Sequence, residues 1–544
     1  MPGPNTGLRM SRIRNYLFAP VVIIVCSIGA GFINSDNAVA ATQDDDVAQS
    51  MRSFTKILDT VQRNFADQVN DDKAIYNGAI PGMLHTLDPH SNFFDPKAYA
   101  EMRDEQRAHY YGLGMTVGPG GDKFEKTVVR YPMNGSPADK AGLRAGDAIL
   151  VVNDKKTDGM DTTQVVNMIK GPRGTYVQLK IGRDGHDQPL TFNVMRDEIS
   201  QPSVAEAFMV RPGIAYVWVK NFTDEHTSKE LEDDLKALGE ANLKGLILDL
   251  RENPGGILNE GIEVAGHFLK KGQIVVSHSG RTQPSKSFTS RTNNGGHDYP
   301  MVVLVNRRSA SAAEIVSGAL QDHDRAWILG ETTFGKGLVQ SVFPLSENTA
   351  LALTTMQYYT PSGRWIQRKY SDISFLDYYF NNKDQRNTND VKMTDSGRTV
   401  YGGGGITPDE KYDPPKMNRF QIDMIRNFEF FNFAAEYFGP KSDPALPKGW
   451  EPDENMVNSF HDFLMKKNVK FTEADFTENH QWVKEQLKQE MYITGFSFDA
   501  SERVRIEQDP EVAKAVEAMP KAQGLLDRAK KMMVERMPVE RAAQ

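Results

Sequence analysis

The sequence predicts a multidomain chain of mixed α+β and α/β class, and three observations carry that prediction. Residues 201–412 alternate strand-like and helix-like runs, the pattern of a layered α/β domain. Residues 110–198 hold short β-like runs between glycine-rich turns. The flanking segments, 45–108 and 413–544, carry helical periodicity. A length of 544 residues suits several cores.

Residues 1–40 read as a signal peptide. Arg9, Arg12 and Arg14 precede an almost uncharged run from Leu17 to Ile33, and Ala38-Val39-Ala40 offers small residues at a cleavage spacing. Cleavage is the favoured reading, and an uncleaved signal leaves a membrane tether. Either way the rest of the chain is expected outside the cytoplasm: periplasmic, membrane-anchored or secreted. The one cysteine, Cys26, lies inside the apolar run, so no disulfide framework or cysteine-ligated metal site is expected.

In 45–108, Val47, Met51, Phe54, Ile57, Leu58 and Val61 fall at helical spacing, and Asp88-Pro89 ends the pattern. In 110–198, strands are expected at Met115–Val117, Lys126–Val129, Ala148–Val152, Val177–Ile181 and Leu190–Val194. Ser136-Pro137 and Asp161 start two short helices as N-caps. The middle region is expected to place strands at Ile214–Lys220, Gly245–Leu250, Gln273–Ser277, Met301–Val305, Ala326–Leu329, Val339–Phe343 and Leu351–Tyr358. Helices are expected at Ser228–Leu238, Ile257–Phe268 and Ala312–Gln321. Beyond Pro414 the chain reads as charged and helical, with no strand run.

The formal net charge is −8, from 64 Lys+Arg and 72 Asp+Glu, so no basic field calls for nucleic acid. The chemistry concentrates elsewhere. A buried strand ends at Val305 and a helix starts near Ala312, which puts Ser311 where backbone amides are unpaired and the helix dipole favours an oxyanion. Ser311-x-x-Glu314 also fits a capping box, which only starts a helix. Small neighbours, Ala310, Ala312 and Ala313, leave room for a peptide.

Gly330 to Gly337 is one residue short of a phosphate-binding loop. Gly337 stands where the magnesium-binding hydroxyl belongs, and a β pattern follows instead of a helix. Lys336 fits better as a general base. Burial disfavours its ammonium, and each unit of pKa depression costs about 1.4 kcal/mol. A neutral Lys336 takes the proton of Ser311, the serine–lysine form of nucleophilic catalysis. On an extended strand Gln340 shares a face with Lys336 and orients its amine. The turn Asp249 to Gly256, with Pro254-Gly255-Gly256, lets backbone approach a ligand and supplies a second oxyanion amide.

Together these segments resemble the C-terminal processing (tail-specific) serine peptidases. The matching residues are Leu250-Arg251-x-Asn253-Pro254-Gly255-Gly256, Ser309 to Ile315, and Gly330-Glu331-x-Thr333-Phe334-Gly335-Lys336-Gly337-x-Val339-Gln340. Leu87 to Ser91, Tyr359 to Arg364 and Gly405 to Asp409 match further. The resemblance implies a core of the ClpP/crotonase-like type over 201–412, with Ser311 as nucleophile, Lys336 as base and Gln340 as orienting residue. It implies oxyanion donors at Ala312 and at Gly255 or Gly256, and no metal or other cofactor. Arg308 departs from a glycine common in the family. Residues 110–198 resemble a PDZ domain, in which Gly112-Leu113-Gly114-Met115 receives a terminal carboxylate. The partners implied are protein substrates with free, small or apolar C-termini. An adaptor protein and a homo-oligomer stay open, as does the role of 413–544.

Two competing chemistries are disfavoured. A Ser-His-Asp hydrolase has to recruit His323, which lies at the far end of the Ser311 helix, about 18 Å away at 1.5 Å per residue. No Gly-x-Ser-x-Gly elbow and no His-Glu-x-x-His pair is present. Lys170 and Arg173 form a basic surface patch or reach the protease body.

Overall fold

The computed structural model describes residues 43–105, 109–120, 126–292, 297–371, 373–380, 386–439 and 446–542. The expected signal peptide and Cys26 lie outside the described residues. Among the described residues, no helix is long and apolar enough to cross a membrane.

The core is a six-stranded sheet in the order Val204–Arg211, Ile214–Val219, Gly245–Asp249, Met301–Val305, Trp327–Gly330 and Glu410–Lys411. The first pair is antiparallel and the others parallel. Gly245–Asp249 and Met301–Val305 are buried at every position, as expected for strands covered on both faces. Helices Thr227–Ala237, Leu258–Phe268 and Ala312–Asp322 cover one face through Leu231, Leu235, Val264, Phe268, Val316 and Leu320. The other face is covered from the C-terminal region. Ile506, Val512, Ala515, Ala518 and Met519 pack on Phe208, Tyr216, Ile247, Val302, Leu304 and Leu329.

A second sheet runs Asn92–Phe94, Ala350–Tyr359, Ile274–Ser279 and Lys286–Thr289, and Leu338–Pro344 also pairs with Ala350–Tyr359. The N-terminal region is therefore not helical throughout: its strand Asn92–Phe94 joins the sheet of the middle region. The β pattern expected after Gly337 is present as Leu338–Pro344, with no helix there to face a phosphate.

Residues 115–195 form their own sheet, with Met115–Gly120 at one edge and helix Thr162–Ile169 beside it. Both expected N-caps are made: Ser136 Oγ accepts from Asp139 N–H, and Asp161 from Gln164 N–H. Beyond 414, helices Arg419–Arg426, Glu429–Phe438, Glu454–Lys466 and His480–Gly495 share a phenylalanine-rich core that includes Phe420, Phe430, Phe460 and Phe476. That region holds the small domain from behind. The Arg130 guanidinium lies 3.8 Å from the Phe428 ring centroid and 4.2 Å from that of Phe431, and Tyr131 stacks on Phe498 at 4.0 Å.

Candidate active site

Three loops converge at the C-terminal ends of the core strands. Ser309 Oγ donates to Leu250 O at 2.7 Å, Ala310 N–H to Asn253 O at 2.9 Å, and Phe334 N–H to Ser309 O at 2.9 Å. This stitches the Leu250–Gly256 turn to the Ser309–Ser311 junction and to the Thr333–Lys336 loop. Ser311 sits at φ 54°, ψ −114°, a conformation that strains any residue with a Cβ. Cap residues ordinarily sit in the extended region, so Ser311 is more than a helix start.

The glutamate of the expected capping box has a larger role. Glu314 is fully buried, and its Oε2 accepts from Ser311 N–H and from Lys336 N–H, each at 2.9 Å. Its Oε1 accepts from Thr333 Oγ1 at 2.5 Å and Gly335 N–H at 2.7 Å. The backbone nitrogens of Ser311 and Lys336 therefore share one oxygen. The carbonyls of the same two residues share the Tyr358 hydroxyl, at 3.2 Å for Ser311 and by a short bond for Lys336. Burial pushes the Glu314 carboxyl up to about 7, although all four donors favour its charged form.

Lys336 is 5% exposed, and its Nζ donates to Gln340 Oε1 at 3.0 Å. Gln340 Nε2 donates in turn to the His90 carbonyl at 2.5 Å. The resemblance at Leu87 to Ser91 gave that segment no role, and nothing local in it signals one. Tyr358 likewise lies within the strand Ala350–Tyr359, where no motif singles it out.

Gly255 has φ 100°, and a Cβ on it would lie 2.7 Å from Ser311 Cβ. Its N–H donates to Asn253 Oδ1 at 2.8 Å, while Asn253 Nδ2 donates to Val219 O at 2.7 Å. The N–H groups of Ala312 and Gly256 have no such acceptor among the described residues. Arg308 is turned away onto Glu252 at 2.6 Å. Both His323 nitrogens are engaged, Nδ1 with Asp395 and Nε2 with Ile274 O, each at 2.7 Å. Arg173 pairs with Asp197 and Glu198 at 2.9 and 3.1 Å, within its own domain.

In the small domain the Gly112–Met115 loop is fixed through its carbonyls. Leu113 O accepts from Ala138 N–H at 2.8 Å, and Gly114 O from Met133 N–H at 2.9 Å and Ser136 Oγ at 2.7 Å. Gly114 has φ 69°, and a Cβ on it would lie 2.5 Å from Ser136 Cβ, so glycine is required there.

Comparison with known proteins matches residues 213–374 to the peptidase family S41 model and residues 128–183 to a PDZ domain model. The carboxy-terminal-processing protease of Bartonella bacilliformis is 38% identical over 346 residues, which span 62% of this chain and 78% of that protein. The chain belongs to peptidase family S41. Carboxy-terminal processing protease CtpB of Bacillus subtilis is 33% identical, over 61% of this chain and 69% of its own. The carboxyl-terminal-processing protease of Synechocystis is 37% identical, over 53% and 68%. This S41 chain is thus a C-terminal processing serine endopeptidase with a PDZ domain.

Proposed function

We propose that this S41 peptidase cleaves peptide bonds with Ser311 as nucleophile and Lys336 as general base. The observation that carries the reading is the double bridge between the two residues, Glu314 Oε2 on both N–H groups and the Tyr358 hydroxyl on both carbonyls. Lys336 lies in surroundings that disfavour an ammonium, and Gln340 Oε1 takes one amine hydrogen, leaving the lone pair for the Ser311 hydroxyl. Ser311 Oγ attacks the scissile carbonyl as its proton passes to Lys336 Nζ. The tetrahedral oxyanion rests on the N–H groups of Ala312 and Gly256; Gly255 is already donating to Asn253. Lys336 then protonates the leaving amine, and water hydrolyses the acyl-enzyme by the same base.

The PDZ domain delivers the substrate. An extended peptide pairs with the open edge of Met115–Gly120, and the Gly112–Met115 loop receives its terminal carboxylate. The substrates are proteins with free, small or apolar C-termini. Export by the first 40 residues, with a periplasmic or membrane-tethered location, completes the proposal.

Peptide hydrolysis by purified enzyme tests it. Ser311→Ala and Lys336→Ala are each expected to lose about a thousandfold or more in kcat/KM while peptide still binds. A C-terminally amidated peptide is expected to bind and turn over more weakly than its free-acid twin. Full turnover by either variant overturns the dyad.

A further inference from the structure

A closed hydrogen-bonded ring surrounds Lys336. From Lys336 Nζ it passes to Gln340 Oε1, and from Gln340 Nε2 to His90 O. From the same residue, His90 Nε2 meets the Tyr378 hydroxyl at 2.8 Å, and Gln367 Nε2 reaches that hydroxyl at 3.1 Å. Gln367 Oε1 then accepts from Gly337 N–H at 2.8 Å, one residue from the start. His90, Gln340, Gln367 and Tyr378 are all buried.

We infer that His90 is a positioning residue, holding Gln340 in the one amide orientation that presents an acceptor to the Lys336 amine. The inference rests on the serine–lysine reading above. A carbonyl only accepts, so the Gln340 NH2 must face His90 O and its Oε1 must face the amine. The flipped amide would aim an N–H at the amine lone pair, the pair needed for the Ser311 proton. The His90 carbonyl thus decides whether the base is available.

The imidazole holds that carbonyl in place. Gly337 N–H fixes the Gln367 amide, so Gln367 donates to the Tyr378 oxygen, and that hydroxyl shares a hydrogen bond with His90 Nε2. His90 Nδ1 is buried without a hydrogen-bond partner among the described residues, so Tyr378 is the ring's one side-chain anchor there. Burial keeps the ring neutral, its pKa well below the ordinary value. The charged and titratable groups facing the ring are Asp88 of its own loop, Lys336, Tyr378 and Tyr379, with Arg368 bonded to Tyr378 O. Asp88 accepts from His90 N–H at 2.7 Å and Ser91 N–H at 2.8 Å, and Ser91 Oγ accepts from Thr354 N–H at 3.2 Å. The N-terminal segment is anchored on both sides of the ring.

The test uses the full chain, a free-acid peptide and steady-state kinetics from pH 5 to 10, with near-UV circular dichroism as the folding check. Tyr378→Phe and His90→Ala are expected to lower kcat about tenfold with KM within about twofold. The acid limb moves to lower pH, because an acceptor oxygen that favours the ammonium is lost. In a Gln340→Ala background neither change adds to the loss, whereas His90→Gln, which keeps a hydrogen-bonding group for Tyr378, restores part of it. If His90→Ala does not fold, Tyr378→Phe alone decides. A wild-type kcat and acid limb, or an undiminished loss in the Gln340→Ala background, overturns the inference. Inactive Ser311→Ala beside unaffected ring variants removes only this inference; active Ser311→Ala removes the dyad itself.

Discussion

Glu314→Gln places the largest local demand on the site. The carboxylate takes four donors on two oxygens, from Ser311, Lys336, Thr333 and Gly335. Glutamine keeps one acceptor oxygen and turns an NH2 against the two donors at the other position. Two buried donors left without an acceptor cost about 1–3 kcal/mol each, so about 2–6 kcal/mol together. Wild type carries an opposing cost. Its carboxyl is raised from 4.5 to about 7 in the fold, so the stability it contributes is complete below the unfolded value and declines as pH rises to 7. The decline amounts to about 3 kcal/mol. The variant lacks it, so its deficit should be largest near pH 5 and narrower at pH 8. Urea denaturation at both values measures this, and kcat/KM should fall at both because the Ser311–Lys336 bridge is gone. Wild-type stability at pH 5, or a deficit that widens with pH, refutes the reasoning.

Two further predictions concern packing. Gly255→Ala sets a Cβ 2.7 Å from Ser311 Cβ and 3.0 Å from Ala312 N, at φ 100°. It should abolish peptide hydrolysis while leaving PDZ-peptide affinity, read by fluorescence anisotropy, unchanged; retained hydrolysis counts against the close approach. Asp322→Ala leaves the Arg364 guanidinium, bonded to Asp322 at 2.6 Å and fully buried, without its carboxylate. Loss of about 3–5 kcal/mol in denaturant unfolding is expected, and a loss below about 1 kcal/mol would show that Arg364 finds another partner.

Ser311, Lys336, Gln340 and the Gly255-Gly256 turn stand out in the sequence because each lies in a short segment whose residue types carry chemistry, and the structure brings their segments together. The strand–helix alternation of the middle region was legible for a similar reason: buried parallel strands such as Met301–Val305 are unbroken apolar runs. The strand Val204–Arg211 was missed although its burial alternates along the chain. Lys286–Thr289 and Asn387–Met393 are largely exposed and polar, so no apolar period marks them. The supports of the site were hidden for a different reason. Gln340 and His90 are 250 residues apart, and their bond ends on a backbone carbonyl that every residue type possesses. Glu314 was visible only as a helix cap, because the loop that uses its other oxygen lies about twenty residues onward.

The C-terminal region changes how the whole molecule has to be read. Its helix Pro510–Ala542 and the preceding Phe498–Glu507 cover the face of the core sheet that the helices beside Ser311 do not. Without them Phe208, Val210, Tyr216 and Leu329 lose their cover, so this region completes the peptidase core. Arg251, which follows the buried strand leading to the Pro254-Gly255-Gly256 turn, is bonded to Asp509 and Glu511, each at 2.8 Å. The same region grips the PDZ domain through Arg130 and Tyr131, beside a cleft of about 260 Å³ that none of Ser311, Lys336 and Gln340 lines. The C-terminal helices therefore touch both the PDZ domain, at Arg130 and Tyr131, and the core at Arg251, the residue that leads into the turn beside Ser311.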